Sequence, residues 1–345
     1  MSYQRDYERR LDVAVVGVGS HSYRNVLPTL HYLPVRLRAV CDPNLALAQK
    51  TAAEYGCKAY ASTKELYAAE KLEAVFIAVG PQWHPPLAME AFGAGVNVWL
   101  EKPVALRAAD VQEMIKARGS RCGVVGFKKV FMPSTQKALE VIGSAQYGGL
   151  KTMLAVYPMD MPADGRGVLE GRKFTNWLGN GVHPLSLMLA AGGKVAAVTA
   201  IAGKLGGGVV ALEFANGVAG TFHMASGPQP IERYEFFADK WHLEIDNSLR
   251  VRLERGIPFN YGVTTEYAPP GDASGAVVWE PQNCLATLEN KALFTQGMWA
   301  EMKYFCDCVL AGKSAERGSL EFALDVMRVY EAALLSGGQR VAIGD

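Results

Sequence analysis

Along the first 130 residues, short apolar runs alternate with amphipathic stretches. The runs at 12–16, 35–41, 74–79, 97–100 and 122–126 have the length of buried strands. The stretches between them carry helix signals. "NLALAQKTAAEYG" stops on Gly56, as a helix C-terminus does. Ser62, with Glu65 three residues on, reads as a capping box opening another helix. "PPLAMEAFGAG" has proline at its start and glycine at its end. Strands alternating with helices predict βαβ units and a mainly parallel sheet covered on both faces.

After about residue 126 the rhythm changes. A helical "STQKALEVIG" precedes the strand-like "LKTMLAVYP", and a Gly-rich segment leads into a helix predicted at "HPLSLMLAAGG". Six strand patterns follow, from "KVAAVTAIAGKL" to "LRVRLERG". The Asn-Gly in "FANGVAG" marks a hairpin between two of them. Residues 256–285 are rich in Gly and Pro and predict an irregular excursion. Two helical patterns, "MWAEMKYFCDCVLAGK" and "SLEFALDVMRVYEAALLSGG", close the chain. The expected fold is α/β: an N-terminal doubly wound parallel sheet over 1–126, and an α+β domain with a large, mostly antiparallel open sheet over 127–345. The C-terminal helix is expected to pack back on the first domain.

Composition narrows the classes. With 35 basic and 34 acidic residues in 345, the formal net charge is +1, which supplies no field to gather nucleic acid or an anionic membrane. The polar start "MSYQRDYERRLD" lacks the apolar core of a secretory signal, and no run has the length of a membrane span. The six cysteines (41, 57, 122, 284, 306 and 308) form no C-x-x-C pair, so neither a metal site nor a disulfide scaffold is expected. A reduced, cytoplasmic protein follows.

The first strand runs into "VAVVGVGSHSYRN". Gly17 and Gly19 occupy the first two places of G-x-G-x-x-G, with Ser20 and His21 after them and Ser22 in the third place. The first glycine makes the tight turn and the second lets backbone approach a pyrophosphate; the third serves helix packing, so serine there is the mildest loss. Asp42 ends the second strand in "LRAVCDP", where a carboxylate accepts from the adenosine ribose 2′-hydroxyl and repels a 2′-phosphate. NAD is therefore favoured over NADP. Before Pro43, Asp42 also suits a plain turn.

Ligands of a doubly wound sheet bind beyond its carboxyl edge. Two segments fall there: "VGPQWHPP", with Gly80, Pro81 and His84, and "WLEKPVAL", with Glu101, Lys102 and Pro103. Pro103 fixes its own φ and pushes Lys102 towards extended geometry. An amine held over the nicotinamide position can take a substrate hydroxyl's proton during hydride transfer, provided burial and a neighbouring positive nicotinamide keep it partly neutral. By themselves, a lysine at a strand end and a histidine before a helix also fit a surface residue and a cap.

In motif order the chain resembles the glucose-fructose oxidoreductase and inositol dehydrogenase family, Gfo/Idh/MocA. The matching elements are "GVGSHS", "CDPN", "GPQWHPP", "AMEAFGAGVNVWLEKPVAL", "GFKKVFMP", "GNGVHPLSLML" and "EAALLSGGQRVAI". The resemblance implies a Rossmann domain followed by an α/β domain whose open sheet forms a homodimer or homotetramer interface. It also implies reversible NAD(P)-dependent oxidation of a secondary hydroxyl on a sugar or polyol. Carried over, Gly17 and Gly19 line the pyrophosphate and Asp42 the ribose. Pro81 and His84 lie along the nicotinamide side, Glu101 and Lys102 at the nicotinamide, and His183 is the second catalytic residue.

The chain departs from the family around His183. Gly179 stands where an aspartate often lies four residues before it, and Ser186 where one often lies three residues after. A histidine without a carboxylate partner is a weaker proton acceptor. Atypical substrate recognition follows, with Lys128, Lys129, Trp177 and Asn180 as candidate substrate contacts. Three functions stay open. The first is an NAD-dependent oxidoreductase acting on a sugar-like hydroxyl. The second is a glycoside hydrolase that uses NAD transiently, and the third is a non-catalytic nucleotide-sensing protein.

Overall fold

The computed structural model describes residues 7–225, 231–256, 261–263, 275–280 and 291–344. The chain divides into two compact units. The first takes Met1–Lys128, Leu169–Phe174 and Ala292–Met327, and the second takes Lys129–Val168, Thr175–Lys291 and Arg328–Asp345.

The first unit holds six strands: β1 (Leu11–Val16), β2 (Val35–Cys41), β3 (Lys58–Tyr60), β4 (Ala74–Ile77), β5 (Asn97–Glu101) and β6 (Gly123–Gly126). They pair in parallel in the order β3-β2-β1-β4-β5-β6, so the strand order reverses beside β1. The short strand β3 lies outside the runs read from the sequence. The predicted helix end at Gly56 and the cap at Ser62 form: Gly56 closes the helix that Asn44 opens, with Asn44 Oδ1 accepting from Leu47 N, and Ser62 Oγ accepts from Glu65 N. The segment 292–327, expected in the second domain, clusters with this unit. Its helix Met298–Leu310 presents Met298, Met302, Phe305 and Cys306 to the core of Val13, Val15, Phe76, Trp99 and Val124. Phe305 meets Phe76 edge-on, with ring centroids 5.6 Å apart. Each such large side chain stabilises by about 1.5–3 kcal/mol when it leaves water.

The second unit is built on a nine-stranded sheet of β7 (Thr152–Pro158), β8 (Val195–Ala202), β9 (Gly208–Phe214), β10 (Ala219–Ala225), β11 (Arg233–Ala238), β12 (Trp241–Asp246), β13 (Arg250–Glu254), β14 (Ala276–Trp279) and β15 (Val341–Ala342). Its order is β14-β13-β12-β11-β7-β10-β9-β8-β15, and every pair is antiparallel except β7 with β10. Asn216-Gly217 turns β9 into β10, as the Asn-Gly signal predicts. The stretch read as an irregular excursion contains β14, and its remaining described residues are non-strand; Cys284 lies outside the described residues. Alternate residues Tyr234 and Phe236, Leu243 and Ile245, and Val251 and Leu253 are buried. The helix Asn176–Gly192 packs on β7 and β10. It begins well before the predicted "HPLSL" start. Pro184 lies inside it rather than at its first turn, and "GNG" is helical rather than a lead-in loop. Among the described residues, no helix is long and apolar enough to cross a membrane.

Candidate functional site

In the first unit, β1, β2, β4, β5 and β6 end at one edge. Beyond β1, Gly17 turns with φ +85°, and its N–H donates to Cys41 O at 2.8 Å. A Cβ there would stand 2.4 Å from Ala78 O and 2.6 Å from Val79 Cγ1. Backbone has closed round this position, so only glycine fits. A Cβ on Gly19 would meet nothing within 4 Å. That open space is what a phosphate approaching backbone needs. A helical stretch then runs through a π-turn (Ser22–Val26) into Leu27–Leu30, and its first N–H groups have no acceptor within the helix.

Asp42 sits beyond β2. Its Oδ2 accepts from Val18 N at 3.0 Å and its Oδ1 from Asn44 N at 2.9 Å. The carboxylate thus ties the glycine turn to the end of the second strand. Each oxygen keeps a lone pair for a further donor. Beyond β4, Gly80 O accepts from Trp83 N in a turn that passes through buried Pro81. His84 opens the helix His84–Gly93 and is wholly buried. Its Nδ1 lies 2.9 Å from Pro103 O, so that nitrogen carries the proton and donates. Burial pushes the imidazole down to about 4. His84 is therefore a neutral brace holding Pro103, beside which Lys102 lies.

The Glu-Lys-Pro turn follows β5. Glu101 is buried; its Oε1 lies 2.8 Å from His21 Nε2, and its Oε2 accepts from Lys102 N at 2.9 Å. The Lys102–Pro103 peptide is cis. Lys102 is half-buried, as is Lys128 in the turn after β6. His21, whose side chain is 45% exposed, links the glycine turn to the Glu-Lys-Pro turn through Glu101. Gly17, Gly19, Ser20, His21, Asp42, Gly80, Pro81, His84, Glu101, Lys102 and Lys128 all lie in this unit.

The second unit holds His183, Trp177, Asn180 and Lys129. His183 is buried in the helix Asn176–Gly192, with the Tyr157 ring 6.5 Å away. Tyr157, whose phenol is pushed up to about 12 by burial and Glu232, was not singled out in the sequence. Its signal was its place on the buried parity of β7, with Met153 and Ala155. Gly179 is buried one turn before His183 and brings no carboxylate.

Two substrate candidates lie buried. Trp177 is fully buried, stacked between Phe222 and Tyr330, and its Nε1 donates to Tyr330 O. The apolar environment makes it a core ring. Lys129 is 4% exposed, and its Nζ donates to Glu232 Oε2 at 2.6 Å and Ser248 Oγ at 2.9 Å. An amine so buried needs its counter-charge, which makes Lys129 a structural ion pair. Asn180 is partly exposed and bonds Asn176. Among the described residues, no group of three or more His, Cys, Asp or Glu side chains forms a metal site.

Comparison with known proteins agrees with this picture. Residues 11–127 match the family described as "Oxidoreductase family, NAD-binding Rossmann fold". Trans-1,2-dihydrobenzene-1,2-diol dehydrogenase of Mus musculus is 29% identical over 157 residues, 44% of this chain and 46% of that protein. Inositol 2-dehydrogenase of Salmonella typhimurium is 30% identical over 146 residues, 40% of this chain and 43% of that protein. The matched stretches thus span under half the length of these relatives. A crystal structure of an oxidoreductase from Agrobacterium radiobacter in complex with NAD+, L-tartaric acid and magnesium superimposes with a TM-score of 0.80 at 17% identity. It covers 97% of this chain and 98% of that one. At that identity the likeness is one of fold.

Proposed function

From the match of residues 11–127 to an NAD-binding oxidoreductase family, we propose that the chain is a Gfo/Idh/MocA-type NAD-dependent oxidoreductase acting on a secondary hydroxyl of a sugar-like or cyclic polyol substrate. The observation that carries this reading is the edge of the first sheet. A backbone cradle that only Gly17 fits, the Asp42 carboxylate and the Glu101–Lys102 turn all lie beyond the strand ends of one unit. The residues fit a dinucleotide: Gly17 and Gly19 leave room for a pyrophosphate, and Asp42 has acceptor capacity for a ribose hydroxyl. When bound, the nicotinamide supplies a hydride acceptor or donor.

The chain's own groups handle the rest. Glu101 fixes the Lys102 backbone, and His84 holds Pro103, so the lysine starts from a defined place. Lys102 takes the hydroxyl proton in oxidation and returns it in reduction. His183 is the second proton-handling candidate, and Lys128 and Asn180 remain the substrate candidates. Asp42 selects NAD over NADP by repelling a 2′-phosphate. The open face of the second sheet carries exposed Ile201 and Val209 together with charged residues such as Arg233 and Glu244. We assign it to homo-oligomer formation, which ultracentrifugation tests.

The experiment is a panel of sugars and cyclic polyols with NAD, scored by NADH formation, alongside Lys102→Ala. The wild type is expected to turn over, with kcat in the variant about 10²–10⁴ lower. Full turnover in Lys102→Ala overturns the assignment of the base. A second reading, a nucleotide-sensing protein without turnover, is favoured by the absence of a carboxylate at Gly179 and Ser186. Calorimetric NAD binding with no product across the panel selects it.

A further inference from the structure

The helix Met298–Leu310 buries a carboxyl group that the site described above does not use. Glu301 has no solvent exposure, and neither side-chain oxygen has a hydrogen-bond partner among the described residues. It lies on the apolar stripe with Met298, Phe305 and Cys308, facing β5 and β6. Its Oε1 is 3.4 Å from where a Cβ of Gly126 would stand, and Trp99 Cζ2 is 2.8 Å from the same point. Gly126 is the register partner of Glu101. Trp99 Nε1 is a second buried polar atom without a partner. Two unmatched polar groups therefore line one wall directly behind the Glu-Lys-Pro turn.

The charged groups that act on Glu301 are Glu101, Lys102 and Lys128. Burial, then the like charge of Glu101, pushes Glu301 well above the usual carboxylate range, while the two lysines pull it down. A buried carboxylate with no donor is costly, and removal of solvent favours the neutral form. The unpartnered, solvent-free setting of Glu301 selects the protonated, neutral acid.

We propose that Glu301 is a positioning residue that holds a resident proton as a neutral carboxylic acid, so that it adds no second negative charge to that of Glu101 beside Lys102. This rests on the reading of Lys102 as the base. No bond other than the O–H of Glu301 is involved, and no proton leaves it during turnover.

The test compares wild type and Glu301→Gln in two readouts. In the infrared spectrum of the cofactor-free full chain at mildly alkaline pH, wild type shows a protonated-carboxyl carbonyl band that the variant lacks. In the pH profile of kcat/KM, the acid limb of the variant overlies that of wild type, because glutamine replaces one neutral group with another. Absence of the band in wild type overturns the proposal. So does an acid limb shifted down by roughly one pH unit or more, the signature of a lost ion pair. Where Glu301→Gln folds poorly, Glu101→Gln replaces it: with the like charge gone, the band titrates at lower pH than in wild type, and an unmoved band overturns the proposal. The infrared readout needs neither NAD nor substrate. A band present without turnover on any polyol therefore rejects the function and leaves the neutral acid standing.

Discussion

The two glycines of the first turn separate a folding requirement from a binding requirement, and alanine at each tests the separation. At Gly17 a methyl group arrives 2.4 Å from a backbone carbonyl oxygen, at a φ of +85°. The left-handed conformation costs an L-residue about 1–2 kcal/mol, and overpacking adds about 1–3 kcal/mol. Gly17→Ala is therefore expected to destabilise the protein by roughly 2–5 kcal/mol. At Gly19 the methyl group meets nothing within 4 Å. Gly19→Ala should fold as well as wild type, within roughly 0.5–1 kcal/mol. It fills the space a pyrophosphate needs, and an overpacking cost of about 1–3 kcal/mol there weakens NAD binding by roughly 5- to 150-fold. Urea unfolding and calorimetric NAD titration on both variants check the pair. A Gly19→Ala protein that binds NAD as tightly as wild type, or a Gly17→Ala protein of native stability, refutes the reasoning.

Three further outcomes are expected. Asp42→Ala loses the acceptor for Val18 N and Asn44 N, and the ratio of NADP to NAD dissociation constants should move towards unity. Lys129→Met removes the counter-charge of the Glu232 carboxylate, whose side chain is 12% exposed and keeps only the Tyr234 hydroxyl among the side-chain partners described, and should cost about 3–5 kcal/mol in denaturant unfolding without a selective rise in KM. The His84 imidazole binds its proton near 4 in the folded chain against an ordinary 6.5. Between those values the unfolded chain holds more protons, so stability rises with pH through that window and is lost as pH falls through it. The span corresponds to about 3 kcal/mol. His84→Gln should flatten the dependence, and an unchanged slope between wild type and variant counts against the assignment.

What the sequence revealed depended on whether burial could be inferred from neighbours. The ends of β2 were readable because an apolar run meets Asp42-Pro43, and the caps at Asn44 and Ser62 were readable because their chemistry is local. The start of the helix carrying His183 was misplaced because Pro184 looks like a first-turn proline, while Thr175, whose side chain accepts from Leu178 N, is the cap. The burial of Trp177 and Lys129 was not legible for a different reason. An indole or an ammonium is equally at home in a site or in the interior, and the deciding partners lie far along the chain: Phe222, Tyr330, Glu232 and Ser248. Glu301 was readable in principle, since its spacing from Met298, Phe305 and Cys308 puts a carboxylate on an apolar stripe. Nothing local says that the stripe faces the Glu-Lys-Pro turn.

The return of Ala292–Met327 to the first unit bears on how the protein is made. When Lys128 leaves the ribosome, all six strands of the parallel sheet have been synthesised, but Met302 and Phe305, which cover Phe76 and Trp99, have not. They follow about 175 residues later. At roughly 5–20 residues per second, the nascent sheet waits on the order of 10–40 s with that apolar face bare. A fragment ending at Lys128 would keep its face uncovered permanently and is expected to aggregate. Expression for nucleotide-binding work therefore needs the late helix supplied, either in the intact chain or as a separate segment joined behind residue 128.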